Sequence, residues 1–196
     1  DGDLPSVVAA ANAREAASRS GPAARGPALW PALDPGDPRQ ASVLALATTL
    51  GLPLLPRRSI SVAMDAALAS PSRLLIDACT DAAADGRSEV VWPVKIPPGA
   101  ASHADAVPDL GLISRAVDRA LLVTRLMVLD SGLHGQPSLH VEAPYVDLTD
   151  RQVADLAVDL AAPVHRCWWW DGDSVEALAS RDRWMPALQA AGYPAP

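Results

Sequence analysis

Apolar positions along the chain fall into helical runs separated by short continuous apolar stretches. Leu4 to Arg19 is alanine-rich and apolar at helical spacing, and Gln40 to Leu50 predicts a second helix closed by Gly51. Ser70-Pro71 predicts a third helix start, serine capping and proline in the first turn, with Leu74, Leu75, Ala78 and Cys79 behind it. A long helix is predicted from about Asp109 to Ser131, ended by Gly132 and the Gly135-Gln136-Pro137 turn. Thr149-Asp150-Arg151-Gln152 spells a capping box, and Val153, Leu156, Ala157 and Leu160 follow on one helix face. Ser174 to Ala191 predicts a last helix.

Between these helices lie the short apolar runs. Ala28 to Leu33 predicts a strand ending in the turn Asp34 to Pro38, and Leu52 to Leu55 predicts another. Glu89 to Lys95 contains Val90-Val91-Trp92, a buried-strand signal, and Leu139 to Glu142 predicts the last strand. Pro97 to Ala106 is expected to be a loop. Strand–helix alternation predicts an α/β fold: a three-layer α/β/α arrangement with a mostly parallel, Rossmann-like sheet and right-handed crossovers. Ligands in such sheets sit at the carboxyl ends of the strands. We find no internal repeat, so residues 1–196 are expected to form a single domain.

Composition narrows the function classes. The 196 residues are 49% hydrophobic and 20% charged, as in a globular domain, and the formal charge is −7. That sign disfavours nucleic acid and anionic membranes as partners. No apolar run approaches the roughly 18–20 residues that span a bilayer. Two cysteines make no disulfide framework, so a reducing cytoplasm is the expected setting. Lys95 stands alone against fifteen arginines, and phenylalanine is absent. A GC-rich genome accounts for that bias.

Six blocks, in order, resemble the 7-cyano-7-deazaguanine synthase family. Asp1-Gly2-Asp3-Leu4-Pro5-Ser6 stands where that family has the phosphate loop S-G-G-L-D-S ahead of a helix. Ser70-Pro71-Ser72-Arg73-Leu74 is similar to V-P-A-R-N, and Val90 to Lys95 keeps the hydrophobic part of a strand ending in I-G-A-N. Val107-Pro108-Asp109-Leu110 is similar to Y-P-D-C, and Glu142-Ala143-Pro144-Tyr145-Val146-Asp147-Leu148-Thr149-Asp150 to E-T-P-L-I-D-L-T-K. Ala191 to Pro196 resembles A-G-I-P-D-P. The resemblance implies an adenine-nucleotide alpha-hydrolase-like fold and a homodimer. It implies an ATP-dependent ligase that adenylates a deazaguanine carboxylate and aminates it to a nitrile, in queuosine or deazapurine biosynthesis. It also implies a four-cysteine zinc site near the C-terminus, and a strand ahead of the loop, so residues upstream of Asp1 are expected.

The departures fall on the groups that would touch ATP or zinc. Asp1 and Asp3 add two carboxylates to a loop meant for polyphosphate, and Pro5 replaces the family aspartate and removes an N–H. Asp1 or Asp3 either caps the following helix or, with a nucleotide, holds Mg²⁺. With Gly2, Ser6 and Arg73 they make up the degenerate nucleotide loop. Arg73 either faces ligand or pairs with a surface carboxylate. Lys95, Asp109, Glu142 and Asp147 are candidate pocket residues, each with an ordinary solvated or turn-forming alternative. Val175, Leu178 and Arg181 stand where three zinc cysteines would be, so only Cys167 remains of the metal site and zinc is expected to be lost.

Losing a structural zinc removes on the order of 10 kcal/mol. Trp168, Trp169, Trp170 and Trp184 cluster in the same tail, about 163–196, and are expected either to pin it as core or to form an interface. The expected function is that of a degenerate homologue without the standard ATP chemistry, binding a nucleotide- or deazapurine-like small molecule or a partner. An active ligase with a rearranged loop is the alternative, and only then are ATP and Mg²⁺ expected as cofactors.

Overall fold

The computed structural model describes residues 2–20, 26–33, 36–58, 70–97, 109–134 and 138–194. Among them six α-helices and two strands run in the order α1 (Leu4–Ser20), α2 (Gln40–Leu50), α3 (Pro71–Ala84), β1 (Glu89–Val91), α4 (Leu110–His134), β2 (His140–Glu142), α5 (Asp150–Asp159) and α6 (Val175–Ala190), with a short 3-10 helix at Val164–Arg166 before α6. Most helix ends follow their sequence signals, although α4 does not stop at Gly132 and runs on to His134. Ser70 accepts from the Arg73 N–H with Pro71 in the first turn, and Thr149 and Gln152 make both bonds of the capping box. Ser174 caps α6, and Gly51, at φ 65°, closes α2 in the left-handed conformation.

The expected three-layer α/β/α sheet is not what forms. The described residues are mostly helical, with one two-stranded parallel sheet pairing Glu89 with His140 and Val91 with Glu142. The runs at 28–33 and 52–55 meet only in a single parallel bridge, Leu29 with Leu54. Proline is the physical reason. Pro27, Pro31, Pro53 and Pro56 flank the bridge, and Pro93 and Pro97 follow β1, so the donors a longer ladder needs are missing. Residues 34–35, most of the predicted loop at 97–106, and the Gly135-Gln136-Pro137 turn lie outside the described residues.

Two cores result. The larger joins α1, α2, α5 and α6 through Leu4, Val7, Val8, Val153 and Leu188, all fully buried, with Trp169 and Trp184 between them. Burying each such aliphatic side chain contributes about 1.5–3 kcal/mol. The alanines of α1 and α5 let these helices approach closely. The smaller core packs α3 and α4 on the sheet through Leu75, Cys79, Val123 and Val141. Hydrogen bonds tie this second unit together: the Thr124 hydroxyl accepts from the Val141 N–H, and Arg119 Nε donates to Ser72 Oγ. Asp81, buried on α3, accepts from the Trp30 indole at 2.8 Å and holds the 28–30 segment alongside.

Candidate functional site

A cavity of ≈ 1130 Å³ lies between the two cores. Ala9, Ala13 and Ala17 of α1 form one wall, and Leu74, Leu75 and Ala78 of α3 another. The segments Ala28–Trp30 and Glu89–Val91 also line the cavity. In a parallel ladder alternate residues bond to opposite sides, so Val90 faces β2 while Glu89 and Val91 face away from it. Leu29 likewise spends its N–H and C=O on Pro53 and Leu55, turning Ala28 and Trp30 away from that strand. One end of the cavity is polar, and there Gly2, Asp3, Ser6, Lys95, Arg183 and Trp184 converge.

At that end the loop is occupied by its own carboxylate. Asp3 Oδ1 accepts from the Trp169 indole at 2.8 Å, from the Trp184 indole at 3.1 Å and from the Leu4 N–H at 2.8 Å. Both indoles are buried, so their N–H groups need this acceptor. The start of α1 is thereby spent on itself. Leu4 N–H goes to Asp3, Pro5 has none, and the Val7 N–H bonds to the Asp3 carbonyl. A helix N-terminus grips phosphate through its first open N–H groups, and of these Leu4 is committed to Asp3 and Pro5 offers none.

Gly2 precedes Asp3 with φ 77°, and its carbonyl accepts from the Trp168 N–H at 3.1 Å. A Cβ there would meet Val43 Cγ2 at 3.5 Å, an ordinary contact. The cost of Gly2→Ala is therefore conformational and should be about 1–2 kcal/mol, read from chemical denaturation midpoints.

The cations at the polar end are also committed. Lys95 Nζ lies 2.5 Å from Asp150 Oδ1, and Arg183 makes two bonds to the same carboxylate, at 2.8 and 2.9 Å. The Lys95 and Asp150 side chains are 2% and 5% exposed. Burial pulls the Lys95 ammonium below the usual lysine value, although the Asp150 bond and charge oppose it. Burial alone would raise the Asp150 carboxyl, but hydrogen bonds from Arg183 and Lys95 outweigh it and hold the group below the usual range. Trp184 lies beside both cations, with the Arg183 guanidinium 4.5 Å from its ring centre.

Of the residues predicted from sequence, Gly2, Asp3, Ser6 and Lys95 come together at this end. Asp1 lies outside the described residues. The others go elsewhere. Arg73 pairs with Asp77 one helical turn on, at 3.1 Å, and does not line the cavity. Asp109 caps α4 by accepting from the Leu112 N–H. Glu142 pairs with His140 at 3.1 Å, and that bond raises the imidazole pKa. Asp147 is exposed on the turn before α5. Asp150, Arg183, Trp169 and Trp184 were not singled out as site residues. An aspartate in a first helical turn and an arginine in a helix carry ordinary solvated meanings, and only their partners give them this one.

The zinc positions do not fit a metal. Cys167 is buried, with its thiol pKa pushed well up by burial and then by the Asp3 charge, whereas Val175 is 79% exposed. None of Val175, Leu178 and Arg181 is a zinc donor of the expected kind. Among the described residues no three His, Cys, Asp or Glu side chains are grouped to hold an ion. Arg181 instead donates through Nη2 to the carbonyls of Trp169, Trp170 and Gly172. Gly172 packs so close that a Cβ would sit 2.7 Å from Ala177 Cβ. Trp169 and Trp184 are core, and Trp168 and Trp170 are partly buried against it.

Among the described residues no helix is long and apolar enough to cross a membrane. Compared with protein-family models, curated proteins and solved structures, the chain finds no match.

Proposed function

We propose that this chain is a binding protein, a degenerate relative of the 7-cyano-7-deazaguanine synthases without their ATP chemistry, whose cavity takes an uncharged purine- or deazapurine-like base. One observation carries the reading: the Asp3 carboxylate sits on the Trp169 and Trp184 indoles where a phosphate-gripping loop needs open donors. A polyphosphate would meet that fixed negative charge, and the nearby cations Lys95 and Arg183 are already bound to Asp150. An uncharged planar base avoids this repulsion. Its edge suits the outward-facing backbone groups of Glu89 and Val91, and its faces suit the apolar walls.

A second reading has its own observation. Two strand edges, Ala28–Trp30 and Glu89–Val91, border one apolar cavity, and an extended peptide laid between them would bond to both.

Titration calorimetry with amide spectra tests these readings. 7-Deazaguanine should bind at micromolar levels and shift the Val91 and Trp30 amides, while Mg²⁺–ATP gives no heat. Micromolar binding of Mg²⁺–ATP would restore the active ligase. Silence of the base, together with exchange protection of the Ala28, Trp30, Glu89 and Val91 amides by an apolar hexapeptide, would favour the peptide.

A further inference from the structure

We infer that the outer face of α4 is a homodimer interface in which two copies of the helix pack antiparallel about Leu122. Eight of the twelve large apolar side chains exposed among the described residues lie on this one helix. Its inner face is spent on the second core through Ala120, Val123 and Met127, and on a small cluster with Ile96 and Val146 through Ala116. At 100° per residue, Val117, Leu121 and Val128 form one outward ridge, and Leu122 and Leu129 form the other. Leu122 is 65% and Leu129 70% exposed. A helix of 25 residues, about 37 Å long, with two such ridges is more apolar surface than a monomer ordinarily leaves in water.

The charges name the occupant. Asp118 and Arg125 lie on the line between the ridges. Among the described residues, neither takes part in an ion pair or hydrogen bond through its side chain. In an antiparallel pair Asp118 meets Arg125 of the second copy, and Arg125 meets Asp118. That match puts the two-fold axis within one residue of Leu122, so one symmetry operation satisfies both charges of each copy and sets Leu122 against itself. A parallel pair would instead set Asp118 on Asp118 and Arg125 on Arg125, which is repulsive. The patch is thus complementary to itself in one orientation, as an isologous interface requires. The inference is independent of what the cavity binds.

Sedimentation velocity over about 1–200 µM tests it, since a dimer dissociates on dilution. The wild-type chain should sediment as a dimer in the upper part of that range. Leu122→Glu, which places two like charges on the axis, should weaken association by at least about 100-fold, with the melting temperature unchanged at concentrations where both proteins are monomeric, because the residue is exposed in the monomer. Arg125→Asp should weaken it about 10-fold, and Asp118→Arg with Arg125→Asp should restore it. Leu122→Cys should form an intermolecular disulfide on mild oxidation while Leu110→Cys does not, with Cys79 and Cys167 buried and silent. A wild-type monomer at every concentration would overturn the inference. So would a Leu122→Glu variant that still dimerises, or equal cross-linking at positions 110 and 122.

Discussion

Asp3→Ala is expected to lower stability by about 3–5 kcal/mol, and the melting temperature by on the order of 10 °C. The change removes one oxygen that serves three donors: two indole N–H groups and the first amide of α1. Trp169 and Trp184 are 0% and 1% exposed, so neither indole reaches water without opening the core. An unsatisfied buried donor costs about 1–3 kcal/mol, and a lost cap adds about 1 more. Asp3→Asn keeps one carbonyl oxygen and should recover roughly half of the loss. Thermal melts with near-ultraviolet dichroism, which reports the packing of the two indoles, provide the check. A loss under about 1 kcal/mol for Asp3→Ala would mean that the indoles are served by something else.

Asp150→Ala should cost a similar amount, about 3–5 kcal/mol, by a different physical route. It strands Lys95, whose side chain is 2% exposed, without the carboxylate that compensates its burial. The pH dependence separates this variant from a simple packing loss. The Asp150 pKa is depressed in the fold, so the unfolded chain binds more protons near pH 4 and the carboxylate's contribution is lost as pH falls through the folded value. The Lys95 pKa is also depressed, so the cost of charging it is present at neutral pH and is relieved as pH rises toward the ordinary lysine value, about 10.4. Removing Asp150 takes away the bond and charge that held Lys95 up, so its pKa drops further and relief begins at lower pH. The stability difference from wild type should therefore be bell-shaped in pH, largest between about 5 and 8 and smaller at both ends. Urea midpoints measured from pH 3 to pH 10 would show it, and a flat difference would reject the charge assignment.

The helices were legible because their signals are local. A serine before a proline, a threonine three residues before a glutamine, and a glycine after an apolar run each act within one turn, and each formed as expected. The sheet was not legible, because a short apolar run becomes a strand only when a neighbour offers a complete set of donors. The prolines around 28–33 and 52–55 were visible, but their effect depends on pairing that no local pattern states. Around the site the outcome divides the same way. Asp3 was read as either a helix cap or a Mg²⁺ ligand. It does bond the Leu4 N–H, but its further partners lie 166 and 181 residues away and could not be read nearby. Lys95 was singled out as the lone lysine, while Asp150, which decides its chemistry, looked like a family cation turned acidic.

Those separations of 166 and 181 residues also bear on how the chain acquires its structure. The Asp3 carboxylate cannot accept from its two indole donors until Trp169 and α6 have been synthesised and have docked. The entropy of closing so long a loop must be met before the larger core rewards it. On a ribosome the α3–α4 unit has its contacts available first, while α1 waits for α5 and α6 to emerge. Assembly of the two cores is thus staggered in time, and α1 stays exposed to chaperones and proteases until α6 has emerged.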